Sequence, residues 1–89
     1  MNSPENWELS VDERVYKELK KIPGVYVKKI TDTIEALAVD PYAGDIQKIK
    51  GEHNVWRKRA GAYRVFYELY TTRKVVRVFL VERRSSKTY

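Results

Sequence analysis

The sequence predicts an α+β domain with the element order β-α-α-β-β-β, in which two helices pack on one face of an antiparallel sheet. Two amphipathic helical patterns occupy the first half of the chain, and three strand patterns with short connections fill the second half. A chain of 89 residues has room for one hydrophobic core, so we expect a single domain over residues 1–89. Strands joined by short turns pair antiparallel, which predicts a meander.

The first element is a short strand over residues 6–10, where Trp7 and Leu9 alternate with polar residues. A capping box follows the strand, because the Ser10 hydroxyl is positioned to accept a hydrogen bond from the backbone N–H of Glu13. This pattern predicts that the first helix begins directly after the strand.

Two helices follow. The first has apolar residues at helical spacing and ends at the Pro-Gly pair 23–24. The second runs from about residue 25 to residue 39 and ends before the Asp-Pro pair 40–41. Its apolar stripe consists of Val27, Ile30, Ile34 and Leu37.

Three strands form the second half of the predicted fold. Residues 42–54 are weakly periodic and predict a long connection, which allows a short strand at 46–49. Strand patterns then cover residues 55–60, 63–70 and 75–82. The first two strands are separated by a tight Ala-Gly-Ala turn, which predicts a hairpin.

Basic residues are concentrated in the second half of the chain. Lys and Arg number 18 against 12 Asp and Glu, which gives a formal net charge of +6. Residues 1–40 carry six bases and eight acids, whereas residues 41–89 carry twelve bases and four acids. Such a basic excess in a short chain favours a polyanionic partner such as nucleic acid.

The composition excludes several classes of protein. Cysteine is absent, which excludes a disulfide framework and a zinc finger. His53 is the one histidine, which excludes a two-histidine acid–base mechanism. We expect no metal and no cofactor. No apolar run is long enough to span a bilayer, and the N-terminus lacks the basic and apolar regions of a signal peptide. We therefore expect a cytoplasmic protein without a membrane partner.

Strand alternation predicts which side chains share a face of the sheet. The residues expected to face the helices are Trp56, Val65, Tyr67, Leu69, Val76, Val78 and Leu80. The residues expected on the other face are Arg57, Arg59, Arg64, Arg77 and Arg83, with Phe66 and Phe79 among them. Arginine binds phosphate through paired hydrogen bonds, and aromatic rings stack on unpaired nucleotides. This face therefore indicates anion binding. The alternative is a solvated face, which an antiparallel sheet often has. Solvated faces usually mix charges, however, and Glu68 is the one acid among these positions.

Three segments of the chain carry a family pattern. They are DIQKIKG (45–51), the hairpin VWRKRAGAYRVFYE (55–68) and the ending ERRSSKTY (82–89). Together they resemble the RelE/ParE superfamily of toxins from type II toxin–antitoxin systems, and the resemblance covers nearly the whole chain. The hairpin is shared by the RelE branch, which cleaves mRNA on the ribosome, and by the ParE branch, which inhibits DNA gyrase.

The C-terminal segment favours the RelE branch, because RelE-type ribonucleases are understood to use basic residues on the sheet and a tyrosine after the last strand. The catalytic residues that the resemblance implies are Arg57, Arg59, Arg64, Arg83 and Tyr89. Further basic residues expected to bind RNA are Lys48, Lys50, Arg77, Arg84 and Lys87. For Lys48 and Lys50, a solvated loop is an equally good interpretation.

The function that the resemblance implies is that of a ribosome-dependent endoribonuclease, which cleaves mRNA by attack of a 2′-hydroxyl on the adjacent phosphate. In this hypothesis Tyr89 activates the 2′-hydroxyl, and Arg83 stabilises or protonates the leaving 5′-oxygen. The other three arginines hold the phosphate.

The partners expected from the resemblance are mRNA, the ribosome and a cognate acidic antitoxin that neutralises the toxin in a hetero-oligomer. The first alternative is a ParE-type gyrase inhibitor, which is a binding protein without nuclease activity. A second alternative is an inactive nucleic-acid-binding module that has kept the fold.

Overall fold

The computed structural model of the protein describes residues 6–84. Its elements are β1 (Glu8–Val11), α1 (Glu13–Leu19), α2 (Gly24–Val39), β2 (Ile46–Lys48), β3 (Val55–Ala60), β4 (Tyr63–Tyr70) and β5 (Val75–Arg83). The predicted helices and strands are all present, and the weakly periodic connection contains the short strand β2. Neither helix within this part of the chain is long and apolar enough to cross a membrane.

The five strands form one sheet in the order β1-β5-β4-β3-β2. Strands β2 to β5 pair antiparallel, as the meander predicts, whereas β1 pairs with β5 in parallel. The α+β class is confirmed, but the sheet is mixed rather than wholly antiparallel. The reason is the connection through α1 and α2, which carries the chain across the sheet before the meander begins.

Asp12, and not Ser10, caps the first helix. The Asp12 carboxylate accepts a hydrogen bond from the backbone N–H of Arg14 at 2.8 Å. The capping box predicted at Ser10 is wrong because β1 continues through Val11 and aligns Ser10 with Arg77 of β5. The prediction for α2 is confirmed, since the helix ends at Val39 and buries the predicted stripe.

The core lies between the two helices and one face of the sheet, which we call the inner face. Tyr67 is its largest fully buried side chain, and the Tyr67 hydroxyl donates a hydrogen bond of 2.7 Å to the Pro41 carbonyl. Burial raises the pKa of Tyr67 far above its ordinary value. The hydrogen bond therefore connects the centre of β4 to the loop after α2 and holds that loop against the sheet.

A β-bulge interrupts the pairing of β4 with β5. Phe66 pairs with Leu80 and Tyr67 pairs with Val78, so Phe79 is an extra residue on β5. Beyond the bulge, the side chains of β5 alternate one residue out of step with the prediction. Leu80 therefore lies on the outer face of the sheet, opposite the helices, and Val81 is buried in its stead.

The bulge also reverses the prediction for Arg83. Arg83 pairs with Tyr63, a buried residue of the inner face. The Arg83 guanidinium lies 5.9 Å from the centre of the Tyr63 ring. The prediction that Arg83 shares the outer face with the other strand arginines is therefore wrong, because strict alternation does not hold across a bulge.

Candidate nucleic-acid interface

Four arginines converge on the outer face of the sheet, at the end that contains the β3–β4 turn. These residues, which we call the arginine cluster, are Arg57, Arg59, Arg64 and Arg84. They line a shallow cavity of about 140 Å³ together with Asp45 and Gln47. Three of the four are predicted catalytic residues, and Arg84 is a predicted RNA contact that takes the position expected for Arg83.

The hairpin of β3 and β4 brings three of these arginines together. Arg57 and Arg59 are two residues apart on β3 and therefore share a face, and Arg59 lies directly opposite Arg64 on β4. Gly61 adopts a φ of +63° in the two-residue turn, which a side chain would disfavour. The tight turn fixes the register and so holds the like charges side by side.

Arg84 joins the cluster at the end of β5. Its backbone N–H donates to the carbonyl of Ala62 at 2.8 Å, and its Nη1 donates to the carbonyl of Gly61 at 3.2 Å. Both contacts tie the residue to the β3–β4 turn, beside Arg64. The one-residue shift at the bulge is what brings Arg84, in preference to Arg83, to this position.

Two polar residues from the β2 segment complete the cavity. Gln47 lies opposite Arg57 in the β2–β3 pair and accepts a hydrogen bond from its guanidinium. The Asp45 carboxylate lies 3.6 Å from Nη1 of Arg59, and the Asp45 backbone carbonyl accepts from the Arg59 N–H at 3.0 Å. Asp45 is the one carboxylate among the described residues that line the cavity, and Glu82 lies outside the cavity but opposite Arg64 in the β4–β5 pair. Even with both carboxylates counted, four guanidinium groups leave the cavity positive.

The chemistry available in the cavity is anion binding. Guanidinium groups donate several hydrogen bonds in a fixed plane, which suits the oxygens of a phosphate. Arginine is a poor proton donor or acceptor, and the exposed carboxylate of Asp45, which lies next to Arg59, is the acidic group that lines the cavity.

Arg77 lies on the outer face but is separated from the arginine cluster. Its Nη1 donates to Glu68 at 2.8 Å and its Nη2 donates to Asp12 at 2.7 Å. The hydrogen bond with Glu68 raises the pKa of Arg77. The backbone hydrogen bond from Arg14, followed by the nearby guanidinium charges, lowers the pKa of Asp12. Two carboxylates offset the charge of Arg77, so its geometry favours a structural contact over the predicted RNA contact.

The remaining predicted residues also lie away from the cluster. The Nζ of Lys48 donates to the Glu52 carbonyl at 3.2 Å, and Lys48 lines a separate cavity with His53. Lys50 is exposed in the turn that follows β2. The predicted roles of Tyr89 and Lys87 concern residues outside the described part of the chain.

Sequence reasoning missed Asp45 and Gln47 as residues of the site. The short strand allowed at 46–49 contained the signal, because pairing of that strand with β3 brings Gln47 next to Arg57. No group of three or more metal-ligating side chains is assembled within residues 6–84.

Comparisons with known proteins place this chain in a family. The profile described as "ParE toxin of type II toxin-antitoxin system, parDE" matches residues 9–87. The curated protein "Putative toxin RelE1" of Methanocaldococcus jannaschii is 32% identical over 79 residues, which cover 85% of this chain and 88% of that protein. The chain therefore belongs to the RelE/ParE superfamily of type II toxin–antitoxin toxins, as its sequence motifs predict.

Solved structures share the same fold. The archaeal RelE–RelB complex from Pyrococcus horikoshii matches with a TM-score of 0.79 at 22% identity, over 92% of this chain and 99% of that chain. The RelB–RelE complex from Methanococcus jannaschii matches with a TM-score of 0.69 at 29% identity, over 83% of this chain and 88% of that chain. The predicted fold class is confirmed by these similarities.

Proposed function

We propose that this toxin is a ribosome-dependent endoribonuclease that cleaves mRNA at the arginine cluster. The observation that carries the proposal is the concentration of four guanidinium groups against one carboxylate in a single cavity on an open sheet face. A phosphodiester supplies the negative charge that this arrangement lacks. The similarity to a protein named RelE1 favours the RelE branch, for which the family resemblance implies mRNA as the polyanion.

The proposed reaction is an internal transfer within the RNA. The 2′-hydroxyl oxygen loses its proton and attacks the adjacent phosphorus, the bond from phosphorus to the 5′-oxygen breaks, and that oxygen gains a proton. The products are a 2′,3′-cyclic phosphate and a 5′-hydroxyl. Arg57, Arg59 and Arg64 stabilise the additional negative charge on the phosphoryl oxygens in the transition state.

Proton transfer requires groups other than the arginines. Tyr89 stays the proposed base for the 2′-hydroxyl, and its position lies outside the described residues. Asp45 is a second candidate for the base, because its carboxylate borders the same cavity. Arg84 takes the charge-stabilising role at the leaving oxygen that the sequence suggested for Arg83. The ribosome aligns the mRNA for attack, which accounts for a requirement for ribosomes.

A cognate antitoxin is the proposed protein partner. The similar solved structures are named as complexes of RelE with RelB, so we propose that this chain forms a toxin–antitoxin complex of the same kind. An acidic segment that orders on binding would complement the basic excess of residues 41–89. In this proposal the antitoxin neutralises the toxin by preventing RNA from reaching the arginine cluster.

Purified toxin mixed with ribosomes and a defined mRNA tests the proposal. We expect cleavage of ribosome-bound mRNA with cyclic-phosphate ends, and arrest of growth on expression in cells. The Arg64→Ala variant is expected to lose at least tenfold in rate, whereas the Arg14→Ala variant, whose side chain is 65% exposed on α1, is expected to cleave normally. Intact mRNA with the unmodified toxin would refute the nuclease proposal.

The second candidate function is inhibition of DNA gyrase. The matching family profile carries the ParE description, which is the observation that favours this candidate. Inhibited supercoiling by purified gyrase, together with intact mRNA on ribosomes, would select it. Cleaved mRNA with unaffected supercoiling would select the nuclease.

A further inference from the structure

We infer that Phe66, Phe79 and Leu80 form a platform on which an unpaired RNA base stacks beside the arginine cluster. We call these three residues the stacking platform. The inference rests on the proposed function and extends it, because it assigns residues that recognise a base in addition to those that bind phosphate.

The β-bulge creates the stacking platform. With regular alternation, Phe79 would lie on the outer face and Leu80 in the core. The bulge instead makes Phe79 and Leu80 both lie opposite Phe66, so that consecutive apolar side chains of β5 lie on the outer face. All three side chains are half-buried, although both helices pack against the other face of the sheet. The fold therefore leaves three apolar side chains on the face of the sheet that the helices do not cover.

The two rings of the stacking platform are tilted against each other, so a flat base stacks on one ring at a time. The rings of Phe66 and Phe79 lie 6.4 Å apart with their planes inclined by 50°. The Arg77 guanidinium lies 5.9 Å from the centre of the Phe79 ring and bounds the platform on the side away from the arginine cluster. Because Arg77 is held by two carboxylates, this boundary is fixed. Rings fixed on strands offer a rigid surface to a flat ligand.

The platform and the arginine cluster are adjacent in the strand register. Phe66 lies directly opposite Arg57, and it follows Arg64 by two residues on the same face of β4. Neighbouring strands are about 4.8 Å apart, which is comparable to the distance between a phosphate and the base of its own nucleotide. A phosphate held by Arg57 and Arg64 therefore brings an attached base over the ring of Phe66.

The combination of rings and guanidinium groups favours RNA over a protein as the ligand of this surface. An apolar patch beside four guanidinium groups matches the alternation of flat bases and phosphates along a single strand. Bases in a duplex are already stacked on each other and do not reach the rings. The geometry consequently predicts a preference for single strands with little preference for base identity.

Binding of short oligonucleotides tests the inference without any need for cleavage. The probe is a fluorescent 2′-O-methyl oligoadenylate of about eight nucleotides, and the matched probe has the same phosphates with abasic sugars. We expect Phe66→Ala and Phe66→Leu to weaken oligoadenylate binding by about tenfold, with no change in its salt dependence. Neither variant should weaken binding of the abasic probe. Tyr16→Ala, which removes an exposed ring from α1, is the control and should bind both probes normally.

The Phe66→Leu variant keeps an apolar side chain at the site and should therefore fold normally. Its thermal melting point, compared with that of the unmodified toxin, checks that the fold is intact. The inference is wrong if this folded variant binds oligoadenylate as tightly as the unmodified toxin. It is also wrong if the variant loses only antitoxin binding, because the platform would then contact a protein. Failure of the proposed function gives a different result: ribosome-bound mRNA then stays intact with the unmodified toxin, whatever the binding of the two probes.

Discussion

Alanine variants of Arg83 and Arg84, compared in the same assay, are the most informative pair of substitutions in this protein. The two arginines are neighbours in sequence and therefore lie on opposite faces of the sheet, and the bulge in β5 sets which of them lies on the outer face. The family resemblance implies a catalytic role for Arg83, whereas we propose that role for Arg84, because Arg84 lines the cavity. We predict that Arg84→Ala impairs mRNA cleavage strongly and that Arg83→Ala does not.

The size of the difference follows from the contacts of the two guanidinium groups. Arg84 lines the cavity with three other arginines, and a hydrogen bond from a charged donor to phosphate contributes about 1.5–3 kcal/mol. Its loss corresponds to a fall of about 10- to 150-fold in kcat/KM. Arg83 lies over the Tyr63 ring, and an exposed contact of this kind contributes about 0.5–1 kcal/mol to stability. Its loss should lower the free energy of unfolding slightly and change kcat/KM by less than threefold.

The assay is cleavage of ribosome-bound mRNA at limiting toxin concentration, paired with urea unfolding of each variant. Arg84 makes one side-chain hydrogen bond to the β3–β4 turn, so Arg84→Ala should unfold within about 1 kcal/mol of the unmodified toxin. A larger loss of kcat/KM for Arg83→Ala than for Arg84→Ala would refute the reasoning, because it would mean that the bulge does not set the active face.

Three further predictions concern stability and charge. Tyr67→Phe should lower the free energy of unfolding by about 1–2 kcal/mol in urea, because it leaves the buried carbonyl of Pro41 without its donor. The folded-state pKa of Tyr67 is raised, so the contribution of its hydroxyl to the free energy of unfolding is complete below about pH 10 and is lost at higher pH. The stability of Tyr67→Phe should therefore fall less at alkaline pH than that of the unmodified toxin. An equal fall in the two proteins would contradict this. Arg77→Met should lower the free energy of unfolding by about 1 kcal/mol yet change RNA affinity less than threefold, whereas a tenfold loss measured by anisotropy would show that Arg77 binds RNA. The folded-state pKa of Asp12 is lowered, so its stabilising effect is present above about pH 4 and is lost as the pH falls through the folded-state pKa. Asp12→Asn should therefore be less stable than the unmodified toxin at pH 7, and the difference should shrink as the pH falls below about 4. A difference in calorimetry that stays constant with pH would contradict the assignment.

Much of the fold follows from local sequence patterns. The bounds of β3 and β4 agree with the prediction, because a glycine turn separates the strands and burial alternates regularly along β4. The parallel pairing of β1 with β5 does not follow from local patterns, since it joins residues far apart in sequence. The amphipathic patterns of the two helices do not indicate which edge of the sheet β1 occupies.

The candidate site is predictable up to the bulge. Arg57, Arg59 and Arg64 share a face because they lie on one regular hairpin. The consecutive apolar residues Phe79, Leu80 and Val81 fit either face of a strand, so the shift in alternation leaves no trace in the composition of β5. The contribution of the β2 segment was missed for another reason, because its three-residue strand depends on pairing with β3 more than on its own sequence.

The most direct test of the central claim is the single-turnover rate at which Arg64→Ala cleaves mRNA on the ribosome. Within residues 6–84 the Arg64 side chain has no salt bridge, so its removal perturbs the fold little and reports on the ligand. We predict a folded variant whose cleavage rate falls at least tenfold, with the remaining products still ending in a 2′,3′-cyclic phosphate. A folded Arg64→Ala variant that cleaves at the rate of the unmodified toxin would contradict the assignment of the arginine cluster as the active site.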